Sequence, residues 1–433
     1  MSKKLWQKDI EVNKLIEAFT VGKDTEFDML LAEHDVMASR AHARMLEKVK
    51  LLSKADLTKL LAGLDTIEKQ IKKGTFKMED GVEDVHSQIE LQLTRTAGEA
   101  GKKIHMGRSR NDQVLTAVKL YLKSELKAIS TQVEEVFGVF IKLSEQHKNV
   151  LLPGYTHFQI AMPSSFGLWL GAYAESLCDD MELVVAAYHI CNKNPLGSAA
   201  GYGSSFPLDR KFTTEAIGFD QLNVNSVYAQ ITRGKSEKAV AVALATVAST
   251  LSKFSYDVCL YLSQNFGFIS FPEELTTGSS IMPHKKNPDV FELIRGKCNI
   301  IQGVPNQLTL LTNNLPSGYH RDMQLTKEVL FPAIQQMKDC LHILAFALPQ
   351  MEVNKDILND SKYAYLYSVD ALNELVKKGM SFRDAYKKTG MDIKQGKFKK
   401  PSQLKHTHIG SINNLGTELI KQQFRKVAKG ISI

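Results

Sequence analysis

Paired cysteines, long apolar runs and cofactor fingerprints are what this sequence lacks. Its five cysteines, at 178, 191, 259, 298 and 340, stand far apart with no paired spacing. That argues against a zinc site or a disulfide framework and fits a reducing cytoplasm. The longest apolar tract, Ala239 to Ala248, is too short to span a bilayer. The opening Met-Ser-Lys-Lys-Leu-Trp has no apolar stretch behind it, so no signal peptide is expected. Gly234-Lys-Ser236 resembles the end of a phosphate-binding loop, but the glycine required five residues earlier is Ala229. Gly201-Tyr-Gly-Ser-Ser-Phe206 lacks the third glycine of a dinucleotide fingerprint, so no nucleotide cofactor is expected. Twelve histidines include no His-Glu-x-x-His pair. His406 and His408 read as surface residues, and no metal is expected.

What is present is a soluble, helix-rich composition. The chain of 433 residues is 43% hydrophobic and 24% charged, with a formal charge of +8 spread along it. Such a charge is compatible with an acidic substrate and does not imply nucleic acid. The densest basic run, Lys394 to Lys405, has a single aromatic, Phe398, and reads as solvated surface.

Apolar residues recur every three or four positions through Leu115, Leu122, Ile129, Val136 and Leu143, then through Leu170, Leu177, Val184 and Tyr188. A third series runs through Val240, Val247, Phe254 and Tyr261, and no proline falls between Pro207 and Pro272. If Lys235 to Gln264 is one helix, it is roughly 45 Å long. Helices of that length need a long bundle and, with several apolar faces, partner subunits. The expected architecture is all-α: a mostly helical domain over 1–108, a long-helix bundle over 109–350, and a small helical domain over 351–433. Ser53 is the expected N-cap of a helix closed by Gly74.

Polar clusters punctuate the bundle: Glu83 to Glu90, Gly107 to Val114, Pro153 to Pro163, and Leu315 to Lys327. In the third, Pro153-Gly154 reads as a turn and Pro163 as the start of the next helix. Thr276 to Arg295 changes character halfway. Gly278, Ser279 and Ser280 form a loose polar front, Lys285 and Lys286 follow, and Asn287-Pro288 reads as an N-cap with the first helical residue. Unpaired N–H groups there, with the lysines, favour carboxylates.

Gly278, Ser279, Met282, Lys285 and Asn287 match the signature of the fumarase/aspartase superfamily. Within it, Gly107-Arg-Ser-Arg-Asn-Asp-Gln113, Pro153-Gly-Tyr-Thr-His157 and Asn194-Pro-Leu-Gly-Ser198 resemble the argininosuccinate lyases. Asp84-Val-His86 and Leu315-Pro-Ser-Gly-Tyr319 do so too. The resemblance implies reversible cleavage of argininosuccinate to arginine and fumarate, without a cofactor. It implies a homotetramer with a twenty-helix core and active sites shared between subunits. Ser279 and His157 are then the catalytic pair, Ser279 the base and His157 the acid or proton relay, with the order of roles open. Glu292 orients the histidine, and Lys285 supports the serine. Ser109, Asn111, Thr156, Lys285 and Asn287 hold the succinate end, Tyr319, Gln324 and Lys327 face the arginine end, and Arg110 is a further substrate-binding residue. Lys48 and His86 match supporting site residues.

The chain departs from this family at two places. The family's substrate-contacting serine in the first domain has no clear equivalent, and Asp24 stands near its place. Met282-Pro-His284-Lys resembles adenylosuccinate lyase instead, which is the alternative activity. A non-catalytic, crystallin-like relative is the alternative outside enzymes.

Overall fold

The computed structural model describes residues 14–431. Short helices open the chain: α1 (Lys14–Val21), α2 (Asp24–Asp28), α3 (Ala32–Lys48), α4 (Lys54–Lys72), α5 (Val85–Ala97) and α6 (Glu99–Lys102). Ser53 caps α4 by accepting the Asp56 N–H at 3.1 Å, and Gly74, at φ +67°, turns the chain beyond its end.

The expected long helices form. Helix α7 (Arg110–Gln146) has 37 residues and is about 55 Å long. Two antiparallel strands, β1 (Leu151–Thr156) and β2 (Gln159–Ser165), lead into α8 (Phe166–Cys191). Pro163 therefore does not begin that helix. It lies in β2 opposite Pro153, and the N-cap is Ser165, whose hydroxyl accepts the Leu168 N–H at 3.0 Å. A proline pair tolerates a two-stranded ribbon because each strand has a free edge.

The parallel pair β3 (Lys193–Asn194) and β4 (Gln221–Leu222) flanks α9 (Arg210–Ile217). Helix α10 (Ser226–Leu262) starts earlier than the apolar spacing predicts, because its first turns are joined to the rest across a kink. At the kink Gly234 has φ +80°, and a Cβ there would lie 2.8 Å from Thr312 Cγ2. That turn requires glycine for conformation and for space. By length and composition α10 could cross a membrane, yet 56% of its most apolar window is buried inside the fold, as in a core helix.

Strand β5 (Ile269–Ser270) precedes a small ribbon of β6 (Thr277–Gly278) and β7 (Lys286–Asn287). Then come α11 (Asp289–Gln302), α12 (Val304–Thr312) and α13 (Thr326–Ala347). Strand β8 (Glu352–Val353) pairs back to β5. Helices α14 (Ser368–Lys377), α15 (Phe382–Lys394) and α16 (Thr417–Ala428) complete the chain. The last of these returns to the bundle, where Phe424 stacks on Phe137 of α7 at 4.0 Å.

One apolar cluster runs from Leu31 to Ile431. Its centre is aromatic: Phe254 of α10 meets Phe140 at 4.8 Å, Tyr173 at 5.0 Å and Trp169 at 5.4 Å. Each such side chain contributes roughly 1.5–3 kcal/mol by burial. Packing of this kind fixes the long helices in place, so what α7 carries at its two ends is kept apart.

Candidate active site

A cavity of about 500 Å³ opens at the end of the bundle where α7 begins. Its walls include Arg110 and Asn111 from α7, Tyr319, Gln324 and Lys327 from the approach to α13, and Arg233 from the α10 kink. Residues some 200 positions apart in sequence thus face one space.

The α7 start is locked. Ser109 and Asp112 form a capping box, in which the Ser109 N–H donates to Asp112 Oδ1 at 2.9 Å and the Ser109 hydroxyl accepts from Asn111 N–H at 3.3 Å. The second Asp112 oxygen accepts the Gly197 and Ala199 N–H groups, both at 2.9 Å. The Asn194–Ser198 motif therefore serves as a clamp on this helix terminus. Burial pushes Asp112 up to about 6 against those hydrogen bonds. Arg110 reaches Ser87 at 2.9 Å, Gln113 at 3.0 Å and Asp84, the N-cap of α5, at 3.3 Å.

On the opposite wall Lys327 is almost fully buried and contacts both Asp24 and Asp28. Gln324 donates to the Thr20 and Val21 carbonyls at 3.1 and 3.0 Å, tying the wall to α1. Arg233 pairs with Glu237 at 3.6 Å, and its guanidinium lies 5.7 Å from the Tyr319 ring. Arg321 pairs with Glu83 at 2.8 Å.

Three expected site residues at this end lie off the cavity: Ser109, held as the N-cap of α7, His86 and Lys48. His86 does not reach the cavity: it is fully buried, with Nδ1 3.0 Å from Asp35 Oδ1. Asp35 also accepts from Gln113 at 2.9 Å, so His86 belongs to a platform under the cavity floor. Burial works against the Asp35 charge, but His86, Arg108 and Gln113 outweigh it and hold that carboxyl down at about 2. Lys48 sits outside the cavity, half-exposed, paired with Asp209 at 2.8 Å and 4.7 Å over the Phe212 ring.

The remaining expected residues gather at the other end of the bundle. Thr156 and His157 are exposed at the tip of the β1–β2 hairpin, where His157 and Phe158 have φ +54° and +56°. Both central residues of this two-residue turn are left-handed, a geometry for which glycine and asparagine are preferred. Holding two other residues so stores strain, of the kind that clusters at functional sites. The hairpin is held just below its tip, with Tyr155 5.5 Å from Phe266 and its hydroxyl 3.2 Å from that of Tyr363.

Phe266 follows the end of α10, so the Ser279 loop shares this end. Thr277 pairs with Asn287 and Gly278 with Lys286, leaving Ser279 to Lys285 as a loop. The Ser279 hydroxyl accepts the Met282 N–H at 3.1 Å, and Lys285 is exposed. Asn287 is not the N-cap of α11. It is held in β7 by the ladder and by Thr277 Oγ1 at 3.4 Å, so the cap position moves on to Pro288, which makes no side-chain cap bond. Glu292 is exposed in the first turn of α11. None of Thr156, His157, Ser279, Lys285, Asn287 and Glu292 lines the cavity.

Sequence reasoning missed Asp28, Arg233 and Ser87 as cavity residues, and placed Arg321 in the Leu315–Lys327 cluster without giving it a role. Asp28 was accessible, being one helical turn beyond Asp24. Arg233 carries no local signal, since only the kink beside it turns it toward the site.

Comparison with known proteins places this geometry. A family model described as Lyase matches residues 7–303. An argininosuccinate lyase of Bacteroides thetaiotaomicron is 57% identical over 432 residues, covering 100% of this chain and 97% of that protein. The chain belongs to the argininosuccinate lyase family. A member from Thermotoga neapolitana is 38% identical over 387 residues, covering 89% of this chain and 97% of its own. Among solved structures, an EDDS lyase variant with bound fumarate matches with a TM-score of 0.78 at 20% identity, covering 98% of this chain and 91% of that one. A class II fumarase from Schistosoma mansoni gives 0.75 at 17% identity, covering 96% and 94%. Those two likenesses establish the shared all-α fold.

Proposed function

We propose that this protein is an argininosuccinate lyase, cleaving argininosuccinate reversibly to L-arginine and fumarate as a step of arginine biosynthesis. The observation that carries the reading is the cavity, where the Arg110–Asn111 and Tyr319–Lys327 motifs converge from distant parts of the chain.

In this reaction a base removes a proton from the succinyl carbon next to a carboxylate. Negative charge builds on that carboxylate, then the carbon–nitrogen bond breaks and its electron pair leaves with the guanidinium nitrogen, which is protonated. Stabilising the developing charge is the largest demand. Lys285, Asn287 and the N-terminus of α11 suit it, because all three sit beside Ser279 on one loop and helix start. Ser279 is the base, helped by the Lys285 ammonium, and His157 is the acid or relay, oriented by Glu292. Ser109, Asn111, Thr156 and Asn287 hold the succinate end, Tyr319, Gln324 and Lys327 the arginine end, and Arg110 is a further substrate-binding residue. The reading uses neither metal nor cofactor.

These groups must meet, yet α7 holds Arg110 about 55 Å from the hairpin that follows it, given its 37 residues. The reading therefore includes a homotetramer in which the loop and hairpin of some subunits close over the cavity of another. Leu293 and Ile300 on α11 and Leu310 on α12, each more than 60% exposed, supply apolar surface for such contacts. All five cysteines are unbridged, in keeping with a cytoplasmic enzyme.

The test is fumarate release, followed by ultraviolet absorbance, from argininosuccinate and adenylosuccinate side by side. Turnover of the first is expected; release from adenylosuccinate alone would replace this reading with the other lyase.

A further inference from the structure

Asp24 and Asp28 project from one face of α2, and both touch the ammonium of Lys327, whose side chain is 3% exposed. Two carboxylates on one ammonium leave an excess negative charge. Arg321, Arg110 and Lys102 pair with Glu83, Asp84 and Glu99, while Arg233 is shared between Glu237 and the charge of Asp24, so the three carboxylates Asp24, Asp28 and Glu237 face two cations, Lys327 and Arg233. Oδ1 of Asp24, the oxygen against Lys327, is buried and makes no hydrogen bond among the described residues, so its charge contact with that ammonium is what compensates it. Burial, and then the neighbouring Asp28, push Asp24 up to about 6. These surroundings disfavour its charge, and a cation reaching Asp24 from the cavity would match it.

An α-amino acid head offers opposite charges two bonds apart. Lys327 has three N–H donors, and its two carboxylate partners leave one for a ligand carboxylate. Asp24, in contact with Lys327, then faces the ammonium of the same head. The guanidinium cannot take that place while it sits at the bond being broken, because three methylenes and the α-carbon separate it from the head.

We propose that Asp24 is a specificity-determining residue that receives the free α-ammonium of the substrate, beside an α-carboxylate held by Lys327, and thereby rejects substrates acylated on that nitrogen. This rests on the argininosuccinate reading. Acylation replaces a cation with a neutral amide and leaves the Asp24 charge desolvated and unmatched. Rejection by an unmatched buried polar group far exceeds rejection by shape alone.

The experiment measures kcat/KM for fumarate release from argininosuccinate and from its Nα-acetyl derivative, with the full-length enzyme and with Asp24→Asn, which keeps the shape and leaves the Lys327–Asp28 pair. The wild type should favour the free amine by about 100-fold or more. Asp24→Asn should lose most of that preference, through a higher KM for the free amine and little change for the acetylated substrate. It should also melt no lower than wild type, since an acid whose pKa rises on folding destabilises the fold once ionised. Comparable wild-type rates on both substrates, or an equal loss on both in the variant, would overturn the role of Asp24. Absence of fumarate from either substrate with the wild type would instead overturn the argininosuccinate reading, and this inference with it.

Discussion

At the end of the bundle where α7 begins, charged side chains are paired, capped or buried; at the end where α10 stops, Ser279, Lys285 and His157 lie on turns open to solvent. The first end is finished within one chain, since its partners come from α2, α5, α7 and α13 of the same molecule. The second end carries its exposed residues outside the cavity. On the proposed function the contrast separates two tasks. Recognition needs a preorganised wall, whose side chains are held in place before the ligand arrives. Acid–base groups that must approach a bound ligand are better carried on a hairpin and a loop.

Replacing Ser279 by Ala breaks the comparison most severely. Turnover should fall by about 1,000-fold or more, with stability changed by less than about 0.5 kcal/mol because the residue sits on a solvent-facing loop. Asn111→Ala should also be inactive, for the opposite end. Refolding the two dead variants together should restore a substantial fraction of activity, since a mixed assembly contains sites with both ends intact. A mixture as inactive as its components would show that each site is built from one chain.

The paired end should respond in stability. Asp35→Ala strips His86, Gln113 and the nearby Arg108 of a shared partner and should cost about 3–5 kcal/mol, read by chemical denaturation. Asp35 is held down at about 2, so its contribution is present above the ordinary carboxylate value of 3.8 and is lost as pH falls toward 2. Asp35→Asn should lack that part of the acid-unfolding profile; an unchanged profile would remove Asp35 from the platform.

The smallest effect belongs to the hairpin tip. Phe158→Gly relieves one left-handed residue whose side chain is 69% exposed, so little packing is lost. The melting temperature should rise slightly, by an amount corresponding to no more than about 1 kcal/mol. A fall would show that Phe158 packs more than it strains.

Much of this was legible in the residues. The apolar spacing located α7, α8 and most of α10, because a long rod shows its buried stripe over many turns. Motif residues marked both ends of the bundle. Three features were harder to read. Pro163 looks like a helix start because proline suits a first turn, but a proline also suits an edge strand, and the pairing with Pro153 decided it. Asn287 has an N-cap's chemistry, and the ladder with Thr277 withheld it from that position. His86 follows a helix start that does face the cavity, yet on α5 it points inward to Asp35. In each case a contact distant in sequence overruled a local preference. Asp24 was legible only as a departure from its family; its partners, Asp28 and Lys327, come together in three dimensions.

The length of α7 has one more consequence. If the site closes only between copies, a newly made subunit is inert however well it has folded, and activity begins with assembly. Specific activity should then depend on enzyme concentration below the dissociation range, falling steeply on dilution while the helical signal of the separated chains persists.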